Sequence, residues 1–251
     1  KINSYSSASQ DVTFLKITWL SGPVEIVKYS GKEINITEYS TSELDDIDKL
    51  DMSYDNGKLT IKWDRREGFF PLTTLRFFIS RPHQKKHLLI EIPEKMADNM
   101  EQIECSGVSG ELTVNGISSQ RIDMSSVSGG VNLYNTRSSF AKIESVSGKH
   151  MVNNIYSELF VAKTTSGRIT ADAFFFETCR LDTVAGRMEI NGRTAVLKTN
   201  SVSGSLDAYL SEAPKDMNLE SLSGAIKVMI PENEGFTAKF SSMSGKFHSD
   251  F

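Results

Sequence analysis

Four histidines, 33 serines and a short run of aspartates are the residues of this chain whose types could carry chemistry. His83 and His87 stand four apart, the spacing by which a helix face offers a metal two nitrogens, but Pro82 and the strand-like pattern around them argue against a helix. No third ligand recurs nearby, so no metal is expected there. His150 occupies a position otherwise filled by Leu, Val, Ile, Met and Phe, and reads as a structural histidine at a coil edge. The serines invite a nucleophile reading, yet Ser109 in Gly107-Val108-Ser109-Gly110 falls one residue short of a nucleophile elbow. Asp45, Asp46, Asp48, Asp51 and Asp55 could offer calcium several oxygens, but neither the EF-hand spacing nor a glycine-aspartate nonapeptide array is present. They read as a solvated loop, with Ser42 to Asp51 either that loop or a short helix. No catalytic, cofactor-binding or metal-binding residue is assigned.

The serines belong to a repeat. Ser126-Val127-Ser128-Gly129 recurs as Ser145-Val146-Ser147-Gly148, Thr164-Thr165-Ser166-Gly167, Thr183-Val184-Ala185-Gly186, Ser201-Val202-Ser203-Gly204, Ser221-Leu222-Ser223-Gly224 and Ser242-Met243-Ser244-Gly245. With Gly110 first, the closing glycines are spaced by 19, 19, 19, 19, 18, 20 and 21 residues. Two and four positions after each glycine an apolar residue alternates with polar ones, as in Leu112/Val114, Val131/Leu133 and Ile169/Ala171. A second alternation comes late in each unit: Ile122/Met124, Ala141/Ile143, Phe160/Ala162 and Cys179/Leu181. That is the signature of two short strands, each with one buried face.

A unit of about 19 residues cannot bury its own apolar face, so stacking on its neighbours must do so. The expected fold is all-β: a parallel β-helix-like solenoid, right-handed because parallel crossovers are, with about 4.8 Å between coils. Serines stacked at a bend would bond along the ladder and to the backbone, while glycine and asparagine supply the turns. Val146 and Leu181 are expected inside the stack and Arg168 outside. Residues 1–102 carry fainter copies, and are expected as irregular coils and strands leading into a regular solenoid over 103–251, one continuous domain. Trp19-Leu20-Ser21-Gly22 matches the corner, Val24/Ile26 and Ile34/Ile36 its two strands, and Leu59–Trp63 another strand after Asn56-Gly57. Leu88 to Pro93 matches Ile226 to Pro231.

The register tests the 2 cysteines. Cys105 and Cys179 fall in inward columns about four coils apart, roughly 19 Å at about 4.8 Å per coil, too far for a disulfide. They are expected as free, buried thiols. A β-helix lyase or hydrolase would need acid, lysine and arginine focused on one outer face. The outward candidates Glu111, Lys149, Arg168, Arg187, Glu189, Asp207 and Lys227 scatter instead, with a small basic stripe from Lys149 to Arg187. Tyr134, Tyr209 and Phe174-Phe175-Phe176 could contact a glycan or a partner, with Phe174 in register with the apolar Ile117 and Ile155.

A net charge of −4 argues against a nucleic-acid face. No apolar run is long enough to span a membrane as a helix. The chain begins at Lys1, not Met, so a leader or membrane anchor is expected upstream.

The Ser-Val-Ser-Gly repeat with its alternating strands resembles the bacterial adhesin-labelled family called domain of unknown function 4097, from about Leu20 to Phe251. Ile92-Pro93-Glu94 and Ile230-Pro231-Glu232 are similar to that family too. The resemblance implies a β-helix-like solenoid outside a bacterial cell, often tethered to its membrane, without catalytic residues. The expected function is therefore a non-enzymatic envelope or surface protein, an adhesin or binding scaffold, with a glycan or cell-envelope protein as partner. The alternatives are a carbohydrate-active β-helix enzyme, lyase or hydrolase, and an envelope-stress interaction scaffold.

Overall fold

Residues of like position in successive repeats hydrogen-bond side by side in a computed structural model that describes residues 2–7, 12–44, 49–63, 86–239 and 248–250. The strands are β1 (Ile2–Ser7), β2 (Phe14–Ser21), β3 (Val24–Tyr29), β4 (Ile34–Ser40), β5 (Asp51–Asp55), β6 (Lys58–Lys62) and β7 (Lys86–Pro93). After the single-turn helix α1 (Glu94–Ala97) come β8 (Met100–Ser109), β9 (Leu112–Asn115), β10 (Ser118–Ser126), β11 (Val131–Ser145), β12 (His150–Thr164) and β13 (Ile169–Thr183). The chain continues through β14 (Met188–Ser201), β15 (Leu206–Leu210), β16 (Asp216–Ser221) and β17 (Ile226–Met229). The middle coils are each one long bent strand in parallel register: Val131 pairs with His150 and His150 with Ile169, Ala141 with Phe160 and Phe160 with Cys179. The chain is thus a β-solenoid with about 19 residues per coil.

The core is a thin stack of inward columns. Ile122, Ala141, Phe160, Cys179 and Leu197 form one, and all are fully buried. Large and small residues alternate in it, so Phe160 fills the space beside Ala141 and stacks at 4.5 Å on Phe176, which stacks at 4.5 Å on Phe174. Each such side chain removed from water stabilises the stack by about 1.5–3 kcal/mol.

The glycine corner is set by crowding. A Cβ on Gly129, Gly148, Gly167, Gly186, Gly204 or Gly224 would lie 1.7 to 2.0 Å from the carbonyl oxygen of the glycine one coil earlier. None of these six has a positive φ, so it is close backbone approach, not turn handedness, that excludes a side chain. Left-handed residues sit at the opposite corner: Gly116 (φ 75°), Asn135 (50°), Asn154 (55°) and Ala173 (50°). Asn154 donates from Nδ2 to Asn135 Oδ1 at 2.7 Å, and Asn135 to Asn115 Oδ1 at 2.9 Å. The irregular spacings localise beside this corner. Asp172 pairs with Asn191 and Phe174 with Gly192, so Ala173 has no counterpart and that coil is one residue short. The next coil carries its two extra residues between Leu210 and Asp216.

The N-terminal strands continue the stack. β2 pairs in parallel with β8 and β6, and β3 with β9 and β7, so Gly22 stands one coil before Gly110. Leu59–Lys62 and Leu88–Pro93 are the parallel strands their sequences suggest. Ile34 and Ile36 are not: β4 runs antiparallel to β7, and β1 antiparallel to β4. β5 likewise runs antiparallel to β6 across Asn56-Gly57, whose φ values of 46° and 80° suit a tight hairpin. The alternation marked Ile34/Ile36 as a strand with a buried face, but alternation carries no direction. At this end Lys86 and Glu38, both fully buried, form a 2.7 Å ion pair, with Lys86 Nζ 4.2 Å from the Trp63 ring. At the other end, β16 pairs only with β14 and β17 only with β15 among the described residues.

Candidate binding surface

The four residues of the corner motif have separable tasks. The first, a buried Ser or Thr, accepts a hydrogen bond from the glycine N–H three residues on: Ser126 from Gly129 at 2.9 Å, Thr164 from Gly167 at 2.9 Å, Thr183 from Gly186 at 2.8 Å, Ser201 from Gly204 at 2.7 Å. The third, a serine except at Ala185, donates to a carbonyl one coil earlier: Ser128 to Val108 at 3.2 Å, Ser203 to Val184 at 3.3 Å, Ser223 to Val202 at 3.3 Å. The fourth is the crowded glycine. The serines are therefore structural, as their recurrence in every coil implies.

The second residue has no such task. Val108, Val127, Val146, Val184, Val202 and Leu222 are 45, 49, 52, 46, 45 and 78% exposed, and Thr165 in the same column is exposed. Val146 therefore points outward, contrary to its sequence expectation, because Ser145 takes the inward position. Leu181 is fully buried and Arg168 exposed, as expected. The six aliphatic residues and Thr165 form a largely aliphatic ridge roughly 29 Å long at about 4.8 Å per coil. Contiguous exposed apolar surface on a folded protein is often functional.

A shallow groove of about 500 Å³ runs beside the ridge. Val146, Thr165, Val184 and Val202 form one wall, and Ser125, Glu144, Lys163, Asp182 and Asn200 the other. On the far side of the glycines stands the exposed basic column Lys149, Arg168 and Arg187. Arg187 bonds Asp207 and Glu189 at 2.8 Å each, so only part of the stripe is unneutralised. Glu111 and Lys227 are exposed elsewhere.

Two further surface features stand out. A polar depression of about 320 Å³ gathers Glu104, Asp123 and Glu144. Each carboxylate is tied to a cation: Lys16 at 2.7 Å, Arg121 at 2.5 Å and Lys142 at 2.8 Å respectively. In a separate column Arg137, Tyr156, Phe175 and Arg193 stack one coil apart. Tyr156 and Phe175 are stacked at 5.1 Å, and the guanidiniums of Arg137 and Arg193 cap them at 4.8 and 4.7 Å. Each ring face is thus occupied by its neighbour. Phe174 and Phe176 are buried, so the Phe174–Phe176 run divides between core and surface. Tyr209 is exposed, with Lys227 Nζ 5.9 Å from its ring.

The histidines do not converge. His83 lies outside the described residues, as do Asp45, Asp46 and Asp48. His87 stacks on Tyr39 at 5.2 Å with Nε2 3.2 Å from Glu25. His248 Nε2 lies 2.9 Å from Asp250, both exposed. His150 is fully buried in the column of Val131 and Ile169. Its Nε2 lies 2.8 Å from Ser145 Oγ while Nδ1 has no partner. Burial lowers its pKa to about 4, against a small opposing pull from Glu144. Ser145 donates to Gly148 O at 3.1 Å, as Ser201 does to Gly204 O at 3.2 Å, but its oxygen faces His150 where the other corners accept from the glycine N–H. Asp51 and Asp55 are exposed on β5. Cys105 and Cys179 are free and buried, and burial pushes the Cys105 thiol up to about 12 and raises that of Cys179. Among the described residues no helix is long and apolar enough to cross a membrane.

The sequence profile of one family, Toastrack, domain of unknown function 4097, matches residues 12–251. The chain belongs to the Toastrack family. Solved structures similar to this Toastrack chain include a Parabacteroides distasonis ATCC 8503 protein whose name ascribes adhesion to it. That structure is 12% identical with a TM-score of 0.53, over 91% of this chain and 97% of that one. A Bacteroides fragilis NCTC 9343 protein with an adhesin name is 14% identical with a TM-score of 0.47, over 91% and 96%. A second P. distasonis ATCC 8503 protein, named for lipid binding, is 16% identical with a TM-score of 0.47, over 90% and 94%. At such identities the likeness concerns the fold. No curated protein matches this Toastrack sequence.

Proposed function

We propose that this Toastrack chain is a non-enzymatic binding scaffold of the bacterial cell envelope or surface, and that the aliphatic ridge with its flanking groove is the binding face. The observation that carries the reading is the second residue of the corner motif. Its neighbours cap, bridge or pack, whereas Val127, Val146, Val184 and Val202 stay close to half exposed coil after coil without serving the fold. The adhesion name of the P. distasonis relative supports the reading at the level of function class. A glycan or an envelope protein is the partner class that an extracytoplasmic location would offer.

The test is binding of the purified, folded protein to defined glycans and to purified envelope proteins, compared with a Val146→Asp/Val184→Asp variant. Saturable binding that the double variant loses is the expected result. Binding that the variant retains in full would overturn the ridge as the binding face, and none to any member of the panel would overturn the glycan or envelope-protein partner class. Fractionation of the source cells tests the location: a parent protein confined to the cytosol would sink the envelope assignment.

A further inference from the structure

We propose that the occupant of the ridge is a second copy of this chain, docked side by side with both solenoid axes pointing the same way. This rests on the reading of the ridge as a binding face and names its partner.

The first argument is pitch. The ridge offers one outward side chain per coil, aliphatic at Val108, Val127, Val146, Val184, Val202 and Leu222 and a threonine at Thr165. An extended polypeptide lying along it would rise about 3.3 Å per residue and fall out of step with coils about 4.8 Å apart. A second copy has the same spacing everywhere, including at the short and long coils, because each coil meets its own counterpart.

The second argument is charge. Four positions before Gly148, Gly167 and Gly186 stand Glu144, Lys163 and Asp182, and one position after the same glycines stand Lys149, Arg168 and Arg187. A two-fold axis parallel to the solenoids places the first column of one copy opposite the second column of the other. Glu144 then faces the second copy's Lys149, and Asp182 the second copy's Arg187. Symmetry makes each of these attractions twice, against one repulsive match per half, Lys163 with the second copy's Arg168. An antiparallel two-fold would set the cationic columns against one another. The contact is isologous, so the same patch serves both copies. An area set by one narrow ridge lies at the low end for specific interfaces, so the dimer is weak and concentration-dependent.

Sedimentation equilibrium of the purified protein from micromolar to millimolar concentration is the first measurement. A monomer–dimer equilibrium is expected, weakened at least tenfold by Val146→Asp and tightened several-fold by Arg168→Glu, which turns the repulsive match into an attractive one. Single variants Val127→Cys, Val146→Cys and Val184→Cys, oxidised separately, should each yield a disulfide-linked dimer, since every ridge residue then faces its own copy within disulfide reach. A monomer at millimolar concentration overturns the proposal, as does a dimer indifferent to Val146→Asp or weakened by Arg168→Glu. Cross-linking at only one of the three positions overturns it in favour of an antiparallel contact. A strict monomer that still bound a glycan or envelope protein through the ridge would overturn the dimer and leave the binding-face reading standing.

Discussion

Gly148 stands so close to Gly129 that a Cβ on Gly148 would lie 1.8 Å from the Gly129 carbonyl oxygen. Nothing but backbone faces that position, so no side chain can rotate away to relieve the clash. Gly130 is next door to Gly129 yet differs: a Cβ there meets the flexible Glu111 side chain at 3.2 Å and the Lys149 oxygen at 3.3 Å.

This adjacent pair gives the first prediction. Gly129→Ala, whose Cβ would come within 1.7 Å of Gly110 O, should destabilise the protein by more than about 4 kcal/mol or prevent folding, the exceptional range for a single substitution. Gly130→Ala should cost no more than about 1 kcal/mol. Urea unfolding of the two variants decides between crowding and turn handedness as the reason for the glycine column.

Leu181→Asp and Val146→Asp separate inside from outside. Leu181 is fully buried, so an aspartate there is an unpaired charge in an apolar stack and should cost more than about 4 kcal/mol. Val146 is 52% exposed, and its substitution should stay within about 0.5 kcal/mol of the wild type. Equal losses of melting temperature would refute the assignment of the ridge to the surface.

His150 makes stability depend on pH. Its folded pKa of about 4 lies below the ordinary value of 6.5, because burial disfavours the imidazolium. Between those values the unfolded chain binds more protons than the folded one. The stabilisation from keeping His150 neutral is therefore complete above pH 6.5 and is lost as the pH falls toward 4, by an amount on the order of 3 kcal/mol. In thermal melts the slope of stability against pH in this window should flatten in His150→Leu. The neighbouring columns hold Val131 and Ile169, so leucine fits the environment.

The two thiols should be silent in the native protein. Cys105 and Cys179 are buried and their pKa values raised, so the reactive thiolate is scarce as well as shielded. A disulfide-exchange reagent should label neither until denaturant is added, then both. Rapid labelling of the folded protein would show the columns to be misassigned.

The buried Lys86–Glu38 pair sets a different kind of test. Lys86→Met strands the Glu38 carboxylate in the interior, with Asn3 Nδ2 at 3.4 Å as a remaining weak donor, and should cost about 3–5 kcal/mol. Lys86→Met/Glu38→Leu should recover most of that loss, since apolar replacement of a whole buried pair is often neutral or better. A double variant as unstable as the single one would count against this account.

Particular residues show what could be read from the sequence. The glycine spacing located the coils, and the columns of Ile122, Phe160 and Cys179 followed from counting. Val146 failed instructively. Counting by two from Ala141 through Ile143 reaches Ser145, so parity already placed Ser145 inside and Val146 outside; the apolar character of valine suggested the reverse. A serine is favoured inside there because its hydroxyl serves the backbone of the bend. The Arg137–Tyr156–Phe175–Arg193 stack is invisible along the chain, since its members are 18 or 19 residues apart. It emerges only when outward positions are aligned coil by coil as carefully as inward ones. The antiparallel turn of β4 left no local trace at all, because direction depends on which edge the strand joins.

The contrast between the two ends gives the molecule a direction of growth. At the N-terminal end antiparallel strands reverse the chain against the stack, so a new coil cannot be added there without dismantling the closure. At the C-terminal end the outermost described strands keep the parallel sense and spacing of all those before them. Lengthening or shortening the array, in evolution or in the laboratory, is therefore easier among the parallel coils than at the antiparallel end.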